Sequence, residues 1–445
     1  MRAARCLMRR GGGRAVNAAA RTSASIRVGV LGGGFGGVYT ALKAEEVARS
    51  FGLPPPAVTL VDVSDRFVFK PLLYEIVTGE YTTNEVAPPF ASLLARSDSV
   101  SHVRASVISA SSGACQSSGK PTARFVRTEN PSAEIEQEFD YLVLAFGSKV
   151  PTNKVPGAPE HALPFNTISD AESLKDRLDA AISSNNSLSI RVAIVGGGYT
   201  GAELAAAVAY RLGSGRNVRI VSPRGIMPND PPRQREIAQR SLEQAGVQVT
   251  SGRVTAVHED SIAVKRSNHD EDILDADLVL WTTGSSACVP HETQGLQLDE
   301  RGKVMIEPTL RAQNTENVFA LGDAASSPDP ATAQVALQQA NYAAWNVVAH
   351  SAGKPMLPFK YQHLGNMMSL GPKDAAIALP IGNLALNGFA ASAIRKAAYA
   401  YRMPTPESAA TTAVGFASSF AQQLTGSSAL AQSVSRSLSS LVPGG

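Results

Sequence analysis

The sequence predicts an α/β chain in which one strand–turn–helix–strand unit occurs twice, and three observations carry that expectation. A short apolar run, a glycine turn and a helical pattern follow one another in IRVGVLGGGFGGVYTALKAEEVA from Ile26. The same order returns from Ile190 in IRVAIVGGGYTGAELAAAVAYRL. Each copy is then followed by a second apolar run, VTLVD at 58–62 and VRIVS at 218–222. Strand, turn, helix and strand in that order make a βαβ unit with a parallel sheet, and a repeat of it makes two such sheets.

The length of 445 residues allows two or three domains. With 44% apolar and 18% charged residues the chain is globular, which excludes collagen, coiled coil and wholesale disorder. Arg2, Arg5, Arg9, Arg10, Arg14 and Arg21 fall in the first 25 residues, where there is no acid. Without those six charges the formal +3 becomes −3, so the body of the chain carries no excess that would select nucleic acid. The Arg-, Ala- and Ser-rich opening has the composition of an organelle transit peptide and lacks the apolar core of a secretory signal. Three cysteines, Cys6, Cys115 and Cys288, with no CxxC, exclude a disulfide scaffold, a zinc ribbon and a redox dithiol. No stretch reaches the ~18 apolar residues needed to span a bilayer. No segment carries the twelve-residue calcium loop with its glycine and final Glu; HEDSIAVKRSNHDEDILDAD reads as a solvated hairpin.

Taken in order, the elements build a discontinuous first domain. FDYLVLAFG (139–147) closes its first stretch, and NVFALGDAA (317–325) returns the chain to it, giving 26–150 plus 305–355. DLVLWTTG (277–284) closes a second domain inserted at 151–304. Residues 1–25 form the leader, 356–403 a C-terminal region with strand-like YQHLGNMMSLG and basic, aromatic GFAASAIRKAAYAYRM, and 404–445 an Ala/Ser-rich tail. In that tail Phe416, Phe420, Leu424 and Val434, Leu438, Leu441 keep helical spacing, yet the composition equally fits disorder.

The glycine turns say what the domains hold. Gly32, Gly34 and Gly37 form GxGxxG between strand and helix: the first permits the tight turn, the second lets backbone approach a diphosphate, the third packs helix on strand. Free N–H groups at the helix start then meet the anion. Asp62 ends the next strand and is placed for a ribose hydroxyl, 30 residues past Gly32 because GLPPPA lengthens the connection. Gly196, Gly198 and Gly201 repeat the pattern. Two cradles and a return motif ending in Gly322 and Asp323 point to a flavin in one and a nicotinamide in the other, with Asp323 at a helix start for a ribityl hydroxyl. Cys115 and Cys288 read as buried small hydrophobes.

Together GGGFGG, Phe69-Lys70-Pro71-Leu72-Leu73-Tyr74, FDYLVLAFGS, GGGYTGAELA, NVFALGDAA and AQVALQQA resemble the type II NAD(P)H:quinone oxidoreductases, and among them the plant and algal class C alternative NAD(P)H dehydrogenases, over about residues 26–403. The resemblance implies two Rossmann-like domains, the fold of pyridine nucleotide-disulfide reductases without their dithiol, and a monotopic C-terminal membrane attachment. It implies FAD as cofactor, NADPH or NADH as donor, a membrane quinone as acceptor and no proton pumping. Lys70 and Gly147 fall on the FAD side and Gly284 on the nicotinamide side. Ala333, Gln334 and Gln338 match the AQxxxQ motif at the quinone entrance, where two amides at i and i+4 face the same way and can donate to quinone carbonyls. Glu203 matches a glutamate near the nicotinamide side of the flavin.

One departure sets the donor. Many NADH-specific relatives in the family it resembles end the second unit's strand in Glu, whereas here it ends in Ser222 with Arg224 two positions on, which suits a 2′-phosphate. NADPH is therefore expected to serve at least as well as NADH. Arg395, Lys396 and Arg402, with Phe389, Tyr399 and Tyr401, are expected to meet anionic headgroups and the membrane interface. The class C resemblance favours a plastid, at thylakoid or lipid-body surfaces, with a naphthoquinone precursor or plastoquinone as acceptor; the mitochondrial inner membrane with ubiquinone is the alternative. Two rival functions stand beside this one, a ferredoxin- or rubredoxin-reductase-like enzyme with a protein acceptor and a non-catalytic flavin-binding sensor. The sequence leaves both monomer and homodimer open.

Overall fold

The computed structural model describes residues 25–113, 118–184, 189–267, 270–380 and 384–425. The leader, Cys115 and the tail positions Val434, Leu438 and Leu441 lie outside the described residues.

Each glycine unit builds its own parallel sheet. In the first, Val318–Ala320, Tyr141–Leu144, Arg27–Leu31, Ala57–Asp62 and Val100–Ser111 lie side by side, parallel throughout. Thr122–Arg127 and Asn130–Glu138 extend its far side antiparallel. The apolar runs are continuous because both faces are covered: Val28, Val30, Leu31, Leu60 and Val143 are all buried. In the second, the parallel order is Gln248–Ser251, Val218–Ser222, Val192–Val195, Leu278–Trp281 and Ala162–Pro164. In both, the registers bring the glycine turns to the carboxyl edge of the sheet, where open α/β sheets bind ligands.

The helix Phe35–Ser50 packs against the helix Ala333–Ser351 through small residues, Ala44 and Ala48 meeting Ala344 and Val348. The acidic stretch after His258 does form a hairpin, Ser261–Lys265 with Glu271–Asp275, but Ser261 to Val264 are buried as the central strand between that partner and Arg253–Val257. A C-terminal antiparallel sheet, Asn366–Ser369, Ala375–Ala378 and Ala385–Asn387, carries the helix Gly388–Tyr401. The tail is helical over Pro406–Thr425 and docks on the first domain, where Thr412 Oγ1 donates to the Glu85 carbonyl at 2.9 Å.

The helix Gly388–Tyr401 corrects the expected membrane contact. Arg395 and Lys396 are 0% and 2% exposed, paired with Glu75 and Glu80 respectively, and Tyr399 is buried over Phe69. Their charges are spent inside the protein and cannot meet headgroups. The face left outward is apolar: Leu384, Leu386, Phe389, Ile394 and Tyr401 are exposed.

Candidate active site

The two cradles share one steric signature. Gly32 has φ +110°, and a Cβ there would lie 2.3 Å from the Ala145 carbonyl oxygen. A Cβ on Gly37 would lie 1.8 Å from the Gly32 oxygen, while one on Gly34 would meet nothing within 4 Å. Gly196 has φ +122°, a Cβ on Gly201 would lie 1.9 Å from the Gly196 oxygen, and Gly198 again faces open space. So in each unit the outer glycines are demanded by the turn, and the middle one keeps a groove clear before the helix N-terminus. That is the shape of a diphosphate seat, and the residues of each unit fit the diphosphate of a dinucleotide such as FAD or NAD(P)H.

On the first side, Asp62 Oδ2 accepts from the Gly33 N–H at 2.5 Å and Oδ1 from the Ser64 N–H at 2.7 Å. The carboxylate thus fixes the glycine loop while standing at the strand end. Asp323 accepts from Ser148 Oγ at 2.6 Å, next to Gly147 with φ +66° and Gly322 with φ +65°. It does not open the long helix as expected: it lies in the 3₁₀ turn Gly322–Ala324, and that helix starts at Ala333 behind Thr332, whose side chain caps the Val335 N–H. Gln339 ties turn and helix, accepting from the Gly322 N–H at 2.7 Å. Lys70 Nζ donates to Asn166 Oδ1 at 2.8 Å, and Asn166 donates to the Ser148 carbonyl. Burial of the group lowers the Lys70 pKa, with Asp323 acting in the opposite direction. Cys288 is half-buried rather than enclosed; its N–H donates to the Gly147 carbonyl and burial pushes its thiol up.

On the second side a cleft of about 680 Å³ is lined by Gly198, Tyr199, Ser222, Arg224, Asp230 and Gly284, among others. Ser222 is buried at the strand end, against the Gly197 backbone, and Arg224 is exposed. Tyr199 donates to Gln234 Oε1 at 2.9 Å. Tyr199 and Asn166 escaped the sequence reading; Tyr199 sits inside GGGYTG and could have been found there, whereas nothing in sequence marks Asn166.

Glu203 is buried, and its Oε1 accepts from the Ser369 N–H at 2.8 Å. Burial pushes its pKa up to about 7, against the Ser369 N–H and Arg395, which pull it down. In the unfolded chain it ionises near 4.5, so between the two values the native state holds a proton the unfolded state has lost. The stability this protonated group contributes is complete below 4.5 and is lost as pH rises to about 7. Glu203→Gln is therefore expected to raise the thermal midpoint relative to wild type progressively from about pH 5 to about pH 7.5; a difference that shrinks over this window contradicts the assignment.

Gln334 and Gln338 face the same way, but their amides are engaged. Gln334 accepts from Tyr361 Oη at 2.7 Å and the Leu364 N–H at 3.0 Å, and donates to the Gly365 carbonyl at 3.2 Å. Gln338 donates to the Gln362 carbonyl at 2.8 Å and accepts from its N–H at 3.0 Å. Both pin the segment 361–365, which leads into Asn366–Ser369 and hence to the Ser369 N–H bound by Glu203; each amide nitrogen donates once here and carries a second N–H.

The comparisons agree with this geometry. Residues 26–340 match the family model described as pyridine nucleotide-disulphide oxidoreductase. The chain is 38% identical over 393 residues to demethylphylloquinone reductase NdbB of Synechocystis, covering 86% of this chain and 94% of that protein. It is 37% identical over 410 residues to the alternative NAD(P)H-ubiquinone oxidoreductase C1, chloroplastic/mitochondrial, of Arabidopsis thaliana, covering 86% and 78%. Among solved structures, NDH2 of Plasmodium falciparum in complex with NADH has the same fold, with a TM-score of 0.73 at 16% identity over 89% of this chain and 98% of that one. With paired diphosphate seats, no dithiol among the described residues, and relatives of this identity along most of its length, the chain belongs to the pyridine nucleotide-disulphide oxidoreductases and, within them, to the type II NAD(P)H:quinone oxidoreductases.

Proposed function

We propose that this chain oxidises NADPH, and NADH, at the second cradle and delivers two electrons through FAD to a quinone at a membrane or lipid-body surface. The repeated seat, with its open middle glycine in both units, is the observation that carries the reading. FAD supplies the hydride acceptor and the two-electron donor. The protein orients and excludes water: Gly32, Gly34, Gly37, Lys70, Gly147, Gly322 and Asp323 hold the flavin nucleotide, and Gly196, Gly198, Gly201, Ser222, Arg224 and Gly284 the donor. Glu203 holds a proton at the buried junction of the two, and Gln334 and Gln338 position the segment 361–365 on the helix that Gln339 ties to the turn at Gly322. Residues 26–150 with 305–355 form the FAD domain and 151–304 the donor domain.

The Synechocystis and Arabidopsis relatives, by their names, favour a naphthoquinone precursor or a membrane quinone as acceptor and a plastid, with mitochondrion as second address. No helix among the described residues is long and apolar enough to cross a membrane. We read the exposed apolar face around Leu384, Leu386 and Phe389 as a peripheral attachment. Leu384→Glu with Leu386→Glu is expected to abolish most co-flotation with anionic lipid vesicles and to leave turnover with a short-chain quinone intact; unchanged flotation removes this face from consideration.

The activity itself is tested by steady-state reduction of a soluble short-chain quinone by NADPH and NADH. Fast turnover without added cytochrome or ferredoxin is expected, and its absence favours the protein-acceptor alternative. Arg224→Glu is expected to lower kcat/KM for NADPH by about tenfold or more while sparing NADH, the loss of a charge-assisted contact. A wild-type enzyme that strongly prefers NADH, unchanged in Arg224→Glu, refutes the donor assignment.

A further inference from the structure

The strands Val218–Ser222 and Gln248–Ser251 run parallel, and their last register pair is Ser222 beside Ser251. Beyond that pair the two chains continue alike, Ser222-Pro223-Arg224 and Ser251-Gly252-Arg253. They stay joined past the sheet: the Gly252 N–H donates to the Ser222 carbonyl at 3.3 Å, and Ser251 Oγ to the Pro223 carbonyl at 3.5 Å. Gly252 has no room for a side chain, since a Cβ there would lie 2.4 Å from Val264, so this joint is tightly set. Each arginine therefore stands two residues past a paired serine, at the same carboxyl edge, and both line the cleft of about 680 Å³ that holds Gly198 and Tyr199.

Both guanidinium groups are exposed, and neither makes an ion pair among the described residues. Lys154 adds a third cation to the lining, against one acid, Asp230. Ser222 is buried against the Gly197 backbone and leaves no carboxylate between the arginines and the cleft. A dianion has two charges and three acceptor oxygens to place, and two planar forks arriving from adjacent chains satisfy both.

We propose that Arg253 is the second half of a two-arginine clamp, with Arg224, that recognises the 2′-phosphate of the donor's adenosine. The assignment rests on the reading of this cleft as the donor site and extends it to a residue outside the glycine unit. Arg253 thus acts as a specificity-determining residue for phosphorylated donors. Non-phosphorylated donors use the same diphosphate seat and do not engage it.

The test uses the full-length FAD-loaded enzyme. Equilibrium binding of 2′,5′-ADP and of 5′-AMP is measured by calorimetry, with KM for NADPH and NADH, for wild type, Arg253→Gln, Arg253→Lys and Arg224→Gln. Arg253→Gln is expected to weaken 2′,5′-ADP and raise the NADPH KM by about tenfold, with 5′-AMP and NADH changed by less than about twofold. Arg253→Lys keeps the charge without the fork and falls between. If Arg224→Gln weakens 2′,5′-ADP but Arg253→Gln weakens both nucleotides equally or neither, the clamp is overturned while the donor site stands. If wild type binds 2′,5′-ADP no better than 5′-AMP, the NADPH reading fails with it. Retained flavin absorbance in each variant excludes misfolding as the cause of any loss.

Discussion

Gly34→Val is expected to yield a folded, colourless protein. The backbone at Gly34 has φ −82° and ψ −162°, a conformation any residue adopts, and a Cβ there would touch nothing within 4 Å. Valine is therefore tolerated by the fold, at the ~1 kcal/mol of a poorer N-cap. Its methyl groups then occupy the space in front of the helix N-terminus where the diphosphate must come within reach of the N–H groups. Losing that approach is worth far more than the 1.4 kcal/mol of a tenfold change, so FAD content is expected to fall below about a tenth of wild type, and quinone reduction with it. Far-UV circular dichroism should stay unchanged. Gly198→Val is the matched control and should keep its colour while its donor KM rises. Gly37→Ala contrasts with both: its Cβ would lie 1.8 Å from a backbone oxygen, so the turn itself must shift and soluble protein should be lost. A yellow Gly34→Val with normal FAD content removes the flavin from the first cradle.

The second large effect concerns stability. Arg395 is 0% exposed and Glu75 1%, and the Glu75–Arg395 pair joins residues 320 apart in sequence. Burial would by itself lower the Arg395 pKa; Glu75, Tyr399 and Glu203 together outweigh it and hold the guanidinium charged. Arg395→Met leaves a carboxylate enclosed without its cation, and the expected loss is about 3–5 kcal/mol. Glu75→Leu with Arg395→Met replaces both charges by apolar groups of similar reach and should regain most of that loss. Thermal midpoints with bound FAD read both variants. A double variant no better than the single one would show that the pair itself, and not the stranded charge, supports the fold.

The cradles were legible in the sequence because they depend on the absence of side chains within a few residues, and Gly32, Gly37, Gly196 and Gly201 stand where backbone oxygen leaves no room. The sheets were legible for the same local reason, through continuous apolar runs. Arg395 and Lys396 were not. Two adjacent bases among aromatics have the local pattern of a headgroup contact, and the acids that neutralise them lie 320 and 316 residues away. The glutamines show a milder form of this: spacing correctly put Gln334 and Gln338 on one helix face, but only the fold reveals that the segment 361–365 occupies their amides.

The long reach of those two ion pairs governs how the chain is made. A ribosome releases Glu75 and Glu80 long before Arg395 and Lys396 leave the exit tunnel. Until then both acids must stay in water, so the segment that bears them cannot close. Completion of the amino-terminal half waits for the carboxyl terminus, and nascent chains cut short before residue 395 should remain protease-sensitive around Glu75 however much of the glycine-rich framework they already contain.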